Sequence, residues 1–353
     1  MSGTQDVRWP RLRVLAEGRE VLGVFEADVV SNNHFAADSF QLGVAVAADP
    51  AGNAALTASP GVVLDVQVSL DDGSGFTSLV QGEADQVRLD ATRGVLRLEG
   101  RDLSARLIET RTAETFANLT ASEIAELLAG RHGLAADVQA TTRLIGRGWA
   151  QGRDVVGLGR HGRVTTEWDL LVALAGFEGF DVWVSGTTLH FRPGEAGGSV
   201  TLTPSEVSSL RLERAMTLAG DIEVVVRSWN VLQSRAFTQV ARRQGTGHGG
   251  KSERAQRYVY VLPGLTPDEA LQVAQARLAE ITRHERVVAI EMPGELEISP
   301  RGRLTLAATG TDFDQDYWVD RVARRISVAQ GFRQTVHGRN STGGQEGSAW
   351  SVS

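Results

Sequence analysis

Apolar and polar residues alternate with a period of two along most of the first 107 positions, the spacing of strands with one face buried. The pattern is clearest in RLRVLAE (11–17), SFQLGVAVA (39–47), VVLDVQVSL (62–70), QVRLD (86–90) and GVLRLEG (94–100). Turn-formers such as Asp71-Asp72-Gly73 and Thr92-Arg93-Gly94 separate them. Strands this closely spaced predict a small barrel or sandwich.

From 108 to about 198 the period changes. Thr120 with Glu123, and Thr166 with Asp169, are spaced as capping boxes, in which a hydroxyl and a carboxylate satisfy amide donors that a helix start leaves unpaired. After Thr166, Trp168, Leu171, Val172, Leu174 and Ala175 fall mostly on one helical face, with stop signals at Gly176 and, more strongly, Gly179. A hairpin is predicted next: Val182 and Val184 alternate with Trp183, Ser185-Gly186 suits a tight turn, and Thr188, Leu189 and Phe191 return before Pro193.

Strand patterns resume in GSVTLT from 198 and DIEVVVRSWNV (221–231). Residues 241–257, ARRQGTGHGGKSERAQR, are glycine-rich, basic and poor in apolar side chains, and read as a mobile loop. Thr266, Pro267 and Glu269 combine a cap, a proline at the first helical position and a capping-box acid, predicting a helix over 267–284 with Leu271, Ala274, Leu278 and Ile281 on one face. Strands follow at 286–292 and 303–309, then a long hairpin joined at Gln330-Gly331. The expected organisation is a β-barrel domain over 1–107, a mixed helix and hairpin insert over 108–198, a second β-barrel domain over 199–340 carrying the inserted loop and helix, and a flexible Gly/Ser tail over 341–353.

Composition narrows the chemistry. At 353 residues the chain can bury two or three cores, and its apolar fraction of 42% is ordinary. No apolar run approaches the roughly 18–20 residues that cross a bilayer, and the start, MSGTQDVRWP, is too polar for a signal peptide, so synthesis in a cytoplasm is expected. Having no cysteine, the chain forms no disulfide, thiolate metal site or thiol nucleophile. Residues 1–110 hold 9 arginines against 16 acidic residues, which accounts for the whole net charge of −7. Solubility explains this, as would carboxylates lining a passage for DNA; a phosphate-gripping surface there is not expected. Only Lys251 among the 36 basic residues is lysine. Arginine suits subunit interfaces, although a GC-rich gene gives the same skew.

Catalytic and cofactor signatures are weak. Gly157, Gly159 and Gly162 match the dinucleotide fingerprint, but only Asp154-Val155-Val156 precedes them, the helix starts near Thr166, and Asp181 opens a strand instead of closing one. Asp312, Asp314 and Asp316 have the spacing of calcium-loop ligands, yet Tyr317 stands where glycine is required and Ala323 where the bidentate acid belongs, so a turn is expected. The seven histidines show no metal-binding pairing, and no acidic pair is marked as a glycosidase dyad. No enzyme, cofactor or metal is expected. Trp168, Trp183 and Trp318 are expected in cores, and Trp9 at an interface. Arg242, Arg243, Lys251, Arg254 and Arg257 offer basic contacts, but without interleaved aromatic residues to stack on bases; Arg242, Arg243 and Arg254 join Trp9 as candidate interface residues.

Four blocks together resemble the late control gene D family, the baseplate hub proteins of contractile phage tails, related to the hub half of type VI secretion spike proteins. The stretch TTEWDLLVALAGFEGFDVWVSGTTLHFRP (165–193) is similar to that family's helix and hairpin, and VLRLEGRDLSARLIE (95–109) to its strand with a Gly-x-Asp-x-x-x-x-Leu turn. LTASEIAELLAGRHGL (119–134) looks like its short helix, and residues 294–339 like its C-terminal run. The resemblance implies a mainly β, α+β fold with two look-alike barrels per subunit, forming a pseudo-hexameric trimer ring. The implied role is a tail hub in the virion, adapting a six-fold tube or distal tail protein to a three-fold spike around a channel for DNA. Two departures stand out: the sequence ends without a spike, which implies a separate spike polypeptide, and Arg324 stands where relatives often carry histidine. The rival readings are a carbohydrate-binding or cell-wall-degrading tail component, and a β-rich secretion or adhesion module.

Overall fold

The computed structural model describes residues 9–340 apart from 34, 71–74, 112–113, 115, 117, 146–165, 195–198, 219, 231–234, 245–255 and 263. The chain is mainly β and divides into two compact units. Unit 1 takes residues up to 197 together with 292–301 and 320–335, and unit 2 takes the rest. This division places the N-terminal sheet and the mixed insert in one unit, and draws two later segments into it, where separate domains at 1–107, 108–198 and 199–340 were expected.

Unit 1 is built on a ladder of antiparallel strands. Residues 321–327 pair with Val24–Asn32, which pairs with Ser39–Ala45, then Val95–Asp102, Thr77–Asp90, Val63–Ser69, Arg11–Ala16 and finally the two residues Arg19–Glu20. Alternation sends Val14, Val29, Phe40, Leu42, Val44, Leu64, Val66, Val68, Leu96 and Leu98 into one core. Irregularities at Val66/Gln67 and Ala84/Gln86 bend the ladder, and Arg11–Ala16 comes near Val24–Asn32 without pairing to it. The expected barrel is therefore not closed. The tight turn at Glu17 and Gly18, with φ of 48° and 79°, returns Arg19–Glu20 onto the end of the Arg11–Ala16 edge, beside Leu15 and Ala16.

A second core in unit 1 belongs to the insert. The helices Ser104–Glu109, Ala121–Arg131 and Glu167–Glu178 pack with the hairpin Asp181–Ser185 and Thr188–Arg192, while Ala135–Val138 lies parallel to Thr188–Phe191. Both capping boxes form, and Gly179 closes the last helix with φ 71°, leaving Gly176 inside it. The hairpin register pairs Ser185 with Thr188, so the turn is Gly186-Thr187, one residue later than expected.

Several elements escaped the pattern, among them a helix and a strand of unit 1. Pro50–Ala58 is a helix capped by Asp49, whose Oδ1 accepts the Gly52 amide at 2.9 Å. The inward positions of Val24–Asn32 are Ala27, Val29 and Ser31, too small and polar a set to announce a strand.

In unit 2 the strands Ile222–Asn230, Arg235–Arg243 and Gln256–Val261 form a sheet backed by the helix Pro267–Thr282. The helix starts at the predicted cap, but its buried row is Ala270, Ala274, Leu278 and Thr282, with Leu271 half-buried. Residues 241–243 and 256–257, expected within a loop, are strand; residues 245–255 lie outside the described residues. Ser199–Leu202 runs parallel to Arg303–Leu306, which pairs with 316–318, and Ser209–Arg214 pairs with 286–291. Beside these strands Glu285, 2% exposed, is held by Arg214 at 2.9 Å and Arg243 at 2.5 Å.

Two glycines should respond oppositely to alanine. A Cβ on Gly100 would sit 2.2 Å from the Glu83 carbonyl oxygen and 2.4 Å from the Phe40 ring, so Gly100→Ala should cost about 2 kcal/mol or more. Gly130, exposed in a helix with nothing within 4 Å of that position, should gain about 0.5–1 kcal/mol as Gly130→Ala. Urea unfolding of both variants checks the signs.

Candidate functional site

The most elaborate polar site in unit 1 joins its two cores. Asp38 ends the 32–38 loop and Asp102 ends the Val95–Asp102 strand; the Asp38 amide donates to Asp102 Oδ2 at 3.0 Å, and the Asp102 amide returns a bond to the Asp38 carbonyl at 2.9 Å. Asp38 Oδ1 accepts the Asn32 amide at 2.7 Å, and Asp102 Oδ1 accepts the Ser104 amide at 3.0 Å and the Ser104 hydroxyl. Burial and the neighbouring Asp102 charge push the Asp38 carboxyl up to about 7, against the pull of the Asn32 amide and Arg301. Burial raises Asp102 as well, opposed first by its bond from Ser104.

Arginines answer these acids. Arg301, with φ 68°, donates to the Asn32 carbonyl at 3.2 Å, and burial lowers its pKa while Asp38, Asp181 and Asp102 act in the opposite direction. Arg324, 6% exposed, donates to the carbonyls of Ile298 and Glu295; burial pulls it down to about 10, with Asp38 opposing. Arg324 is thus a backbone-bonded residue inside unit 1. The same loop meets the insert: Phe35, with φ 64°, offers its carbonyl to Trp168 Nε1 at 2.7 Å. Trp168 is buried in the insert core as expected.

Trp183 departs from expectation. Val182 and Val184 point into the core, which turns Trp183 to the opposite face, where it stacks on His190 at 4.7 Å and lies under Arg301 at 4.7 Å. His190 in turn bonds Asp137 through Nδ1 at 2.7 Å. Trp318 is likewise half-exposed beneath Arg303 at 5.1 Å, and the fully buried aromatic of that strand is Tyr317. Burial lifts the Tyr317 hydroxyl to about 12.

The candidate interface residues divide between the two units and the segments outside the described residues. Trp9 is 70% exposed in unit 1. Arg242 lies on unit 2 with Nε 3.6 Å from Glu223, and Arg257 approaches the same carboxylate at 3.5 Å. Arg243 is corrected: it is buried against Glu285 and donates to the Leu218 carbonyl at 3.2 Å, because strand alternation turns it from Arg242 toward the helix side of the sheet. Arg254, Lys251, the Gly157–Gly162 motif and the C-terminal tail lie outside the described residues.

The remaining sequence candidates have structural partners. Asp312 binds Arg214 at 3.0 Å and Arg286 at 2.9 Å, Asp314 accepts the Thr309 amide at 3.0 Å, and Asp316 accepts the Thr305 hydroxyl at 2.6 Å. Glu167, 1% exposed, receives His132 and Arg131, each at 2.5 Å. Among the described residues no group of three or more histidine or acidic side chains is placed to hold a metal ion, and no helix is long and apolar enough to cross a membrane.

A bent sheet tied to a helix and hairpin insert, with a second β unit, defines a class of fold also seen in solved structures. The chain is similar to the tail protein from Neisseria meningitidis MC58, with 15% identity and a TM-score of 0.70 over 94% of this chain and 97% of that one. It is similar to the 43 kDa tail protein of prophage MuSo2 from Shewanella oneidensis, with 13% identity and a TM-score of 0.68 over 94% and 98%. It also matches the E. coli c3393 protein, a component of the type VI secretion system with structural similarity to T4 bacteriophage tail proteins gp27 and gp5, at 10% identity and a TM-score of 0.56 over 93% and 77%. No family model and no curated protein matches the sequence. The chain has the fold of phage tail and type VI secretion proteins, as the sequence blocks implied.

The acidic junction carries a signed pH dependence. Because folding raises Asp38 from 3.8 to about 7, its protonated form favours the native state: the contribution is full below about pH 4, declines through the interval, and is gone above 7. Between pH 5 and 8 wild type should lose more stability than Asp38→Asn, and at pH 8 the variant should be at least as stable. Parallel urea midpoints for the two proteins across that interval would contradict the assignment.

Proposed function

We propose that the chain is a structural subunit of a phage tail or related injection machine, acting as a trimeric hub between the tail tube and a spike. The observation that carries this reading is the end-to-end likeness to tail proteins, 94% of this chain against 97% of the Neisseria protein, which leaves little of either chain for another role. The likeness to a type VI secretion component that itself resembles T4 tail proteins supports a place in a tail or injection machine.

The mechanism is mechanical. Each unit presents sheet faces and edges to neighbours, and three copies with two units apiece give six positions around an axis. Such a ring matches a six-fold tube on one side and a three-fold spike on the other. The axis leaves a passage for DNA, which acidic walls would not retain. No bond is made or broken, so the subunit contributes binding energy and shape alone, and it resides in the virion after synthesis in the host cytoplasm.

Light scattering of the purified chain should give three times its 37.9 kDa mass, and negative-stain images should show a six-lobed ring with a central hole. A monomer at all concentrations, or one that releases fragments from purified cell wall, would overturn the hub in favour of a cell-wall-acting tail component.

A further inference from the structure

The sheet of unit 2 has one face sealed by its helix and one face turned away from it. Ile222, Val224 and Val226 lie against the Pro267–Thr282 helix, so alternation places Glu223, Val225, Arg227 and Trp229 on the other side. The register sets Val225 opposite Val240 and Val259, and Arg227 opposite Thr238 and Val261. Val225 is buried at the centre, but Trp229 is 48%, Val259 47% and Val261 72% exposed. Val261 lies beside Arg227 and diagonal to Trp229, with Val259 two positions back along its own strand, so exposed large apolar side chains recur along this face, as they do at contact surfaces.

The charges around this run have a sign. Glu223 is shared by Arg242 and Arg257, whose side chains are 59% and 55% exposed, and Arg227 adds a third cation, so three arginines stand against one carboxylate. The two units differ in the same sense: unit 2 holds 14 basic and 14 acidic residues, whereas unit 1 holds 22 basic and 29 acidic, the entire net charge of −7. Two copies of this face set against each other would oppose arginine to arginine.

We propose that the outer face of this sheet, centred on Trp229, Val259 and Val261 and rimmed by Arg227, Arg242 and Arg257, docks against the acidic unit 1 of a second copy of the chain. This rests on the trimeric reading above and adds to it a face and a polarity. The contact is head-to-tail, the kind that closes a ring when the rotation per subunit fits a whole number of copies. Tryptophan and arginine are the residues expected to carry its energy, and the charge difference would orient the encounter.

Because the full-length chain has no cysteine, Val261→Cys labelled with benzophenone maleimide gives a single cross-linking position. Illumination is expected to yield intermolecular adducts joined to peptides of unit 1, from residues 1–197, 292–301 or 320–335. In parallel, Trp229→Glu/Val261→Glu should raise the concentration at which trimers half-dissociate by tenfold or more, with the thermal midpoint unchanged. Should that pair fail to fold, the surface reversal Arg242→Glu/Arg257→Glu is expected to shift the same midpoint by several-fold and to reduce its salt dependence. Trimeric wild type with adducts confined to 198–291, with adducts to an added tail protein only, or with variants that assemble normally, would overturn the docking face and leave the trimer standing. A wild type that never exceeds monomer mass would remove both.

Discussion

Two carboxylates that the fold withdraws from water set the terms for unit 1. Burial raises the cost of ionising both, the Asp102 charge adds to that of Asp38, and the chain meets the cost with amide donors from Asn32, Asp38 and Ser104 and with the nearby Arg301 and Arg324. Satisfying them fixes residues 35–38 in a conformation that takes Phe35 into positive φ and aims its carbonyl at Trp168. One polar junction thereby connects the bent sheet, the insert core and the returning 292–301 segment. Burying either carboxyl group without its donors would leave unsatisfied polar atoms between two apolar cores.

This arrangement explains why the sequence showed some levels of the structure and hid others. Helix starts were legible because Thr120, Thr166 and Thr266 act within three residues of themselves, and all three boxes form. Strands with large inward residues, such as Phe40, Leu42 and Val44, were legible for the same local reason. The failures are non-local. Trp183 looked like a core residue because tryptophan is large and apolar, but its neighbours Val182 and Val184 take the inner face and leave the indole to His190 and Arg301. Arg243 looked like a surface cation until Glu285, 42 positions away, was placed beside it.

The junction itself was half visible. Asp102 sits in the Gly-x-Asp-x-x-x-x-Leu turn, where it accepts the Ser104 amide while Leu107 fills the insert core. Its partners Asp38 and Arg301 carried no signal, since nothing local sets one surface-looking aspartate or arginine apart from another. The barrel expectation failed on a comparable scale: alternation specifies which face is buried, whereas closure depends on which strand takes the last edge, and the short Glu17-Gly18 turn brings Arg19–Glu20 to the end of that edge.

If the junction couples the two cores of unit 1, removing a single donor should be felt on both sides. Trp168→Phe keeps a buried aromatic ring while deleting the indole donor to the Phe35 carbonyl together with part of the ring volume. Amide hydrogen exchange of this variant is the most direct test of the coupling. Protection should fall together in residues 35–38 and in the Glu167–Glu178 helix, with the strands Arg11–Ala16 and Val63–Ser69 unchanged. Loss of protection confined to the helix, with residues 35–38 exchanging as in wild type, would show that the cores hold independently and would contradict the coupling.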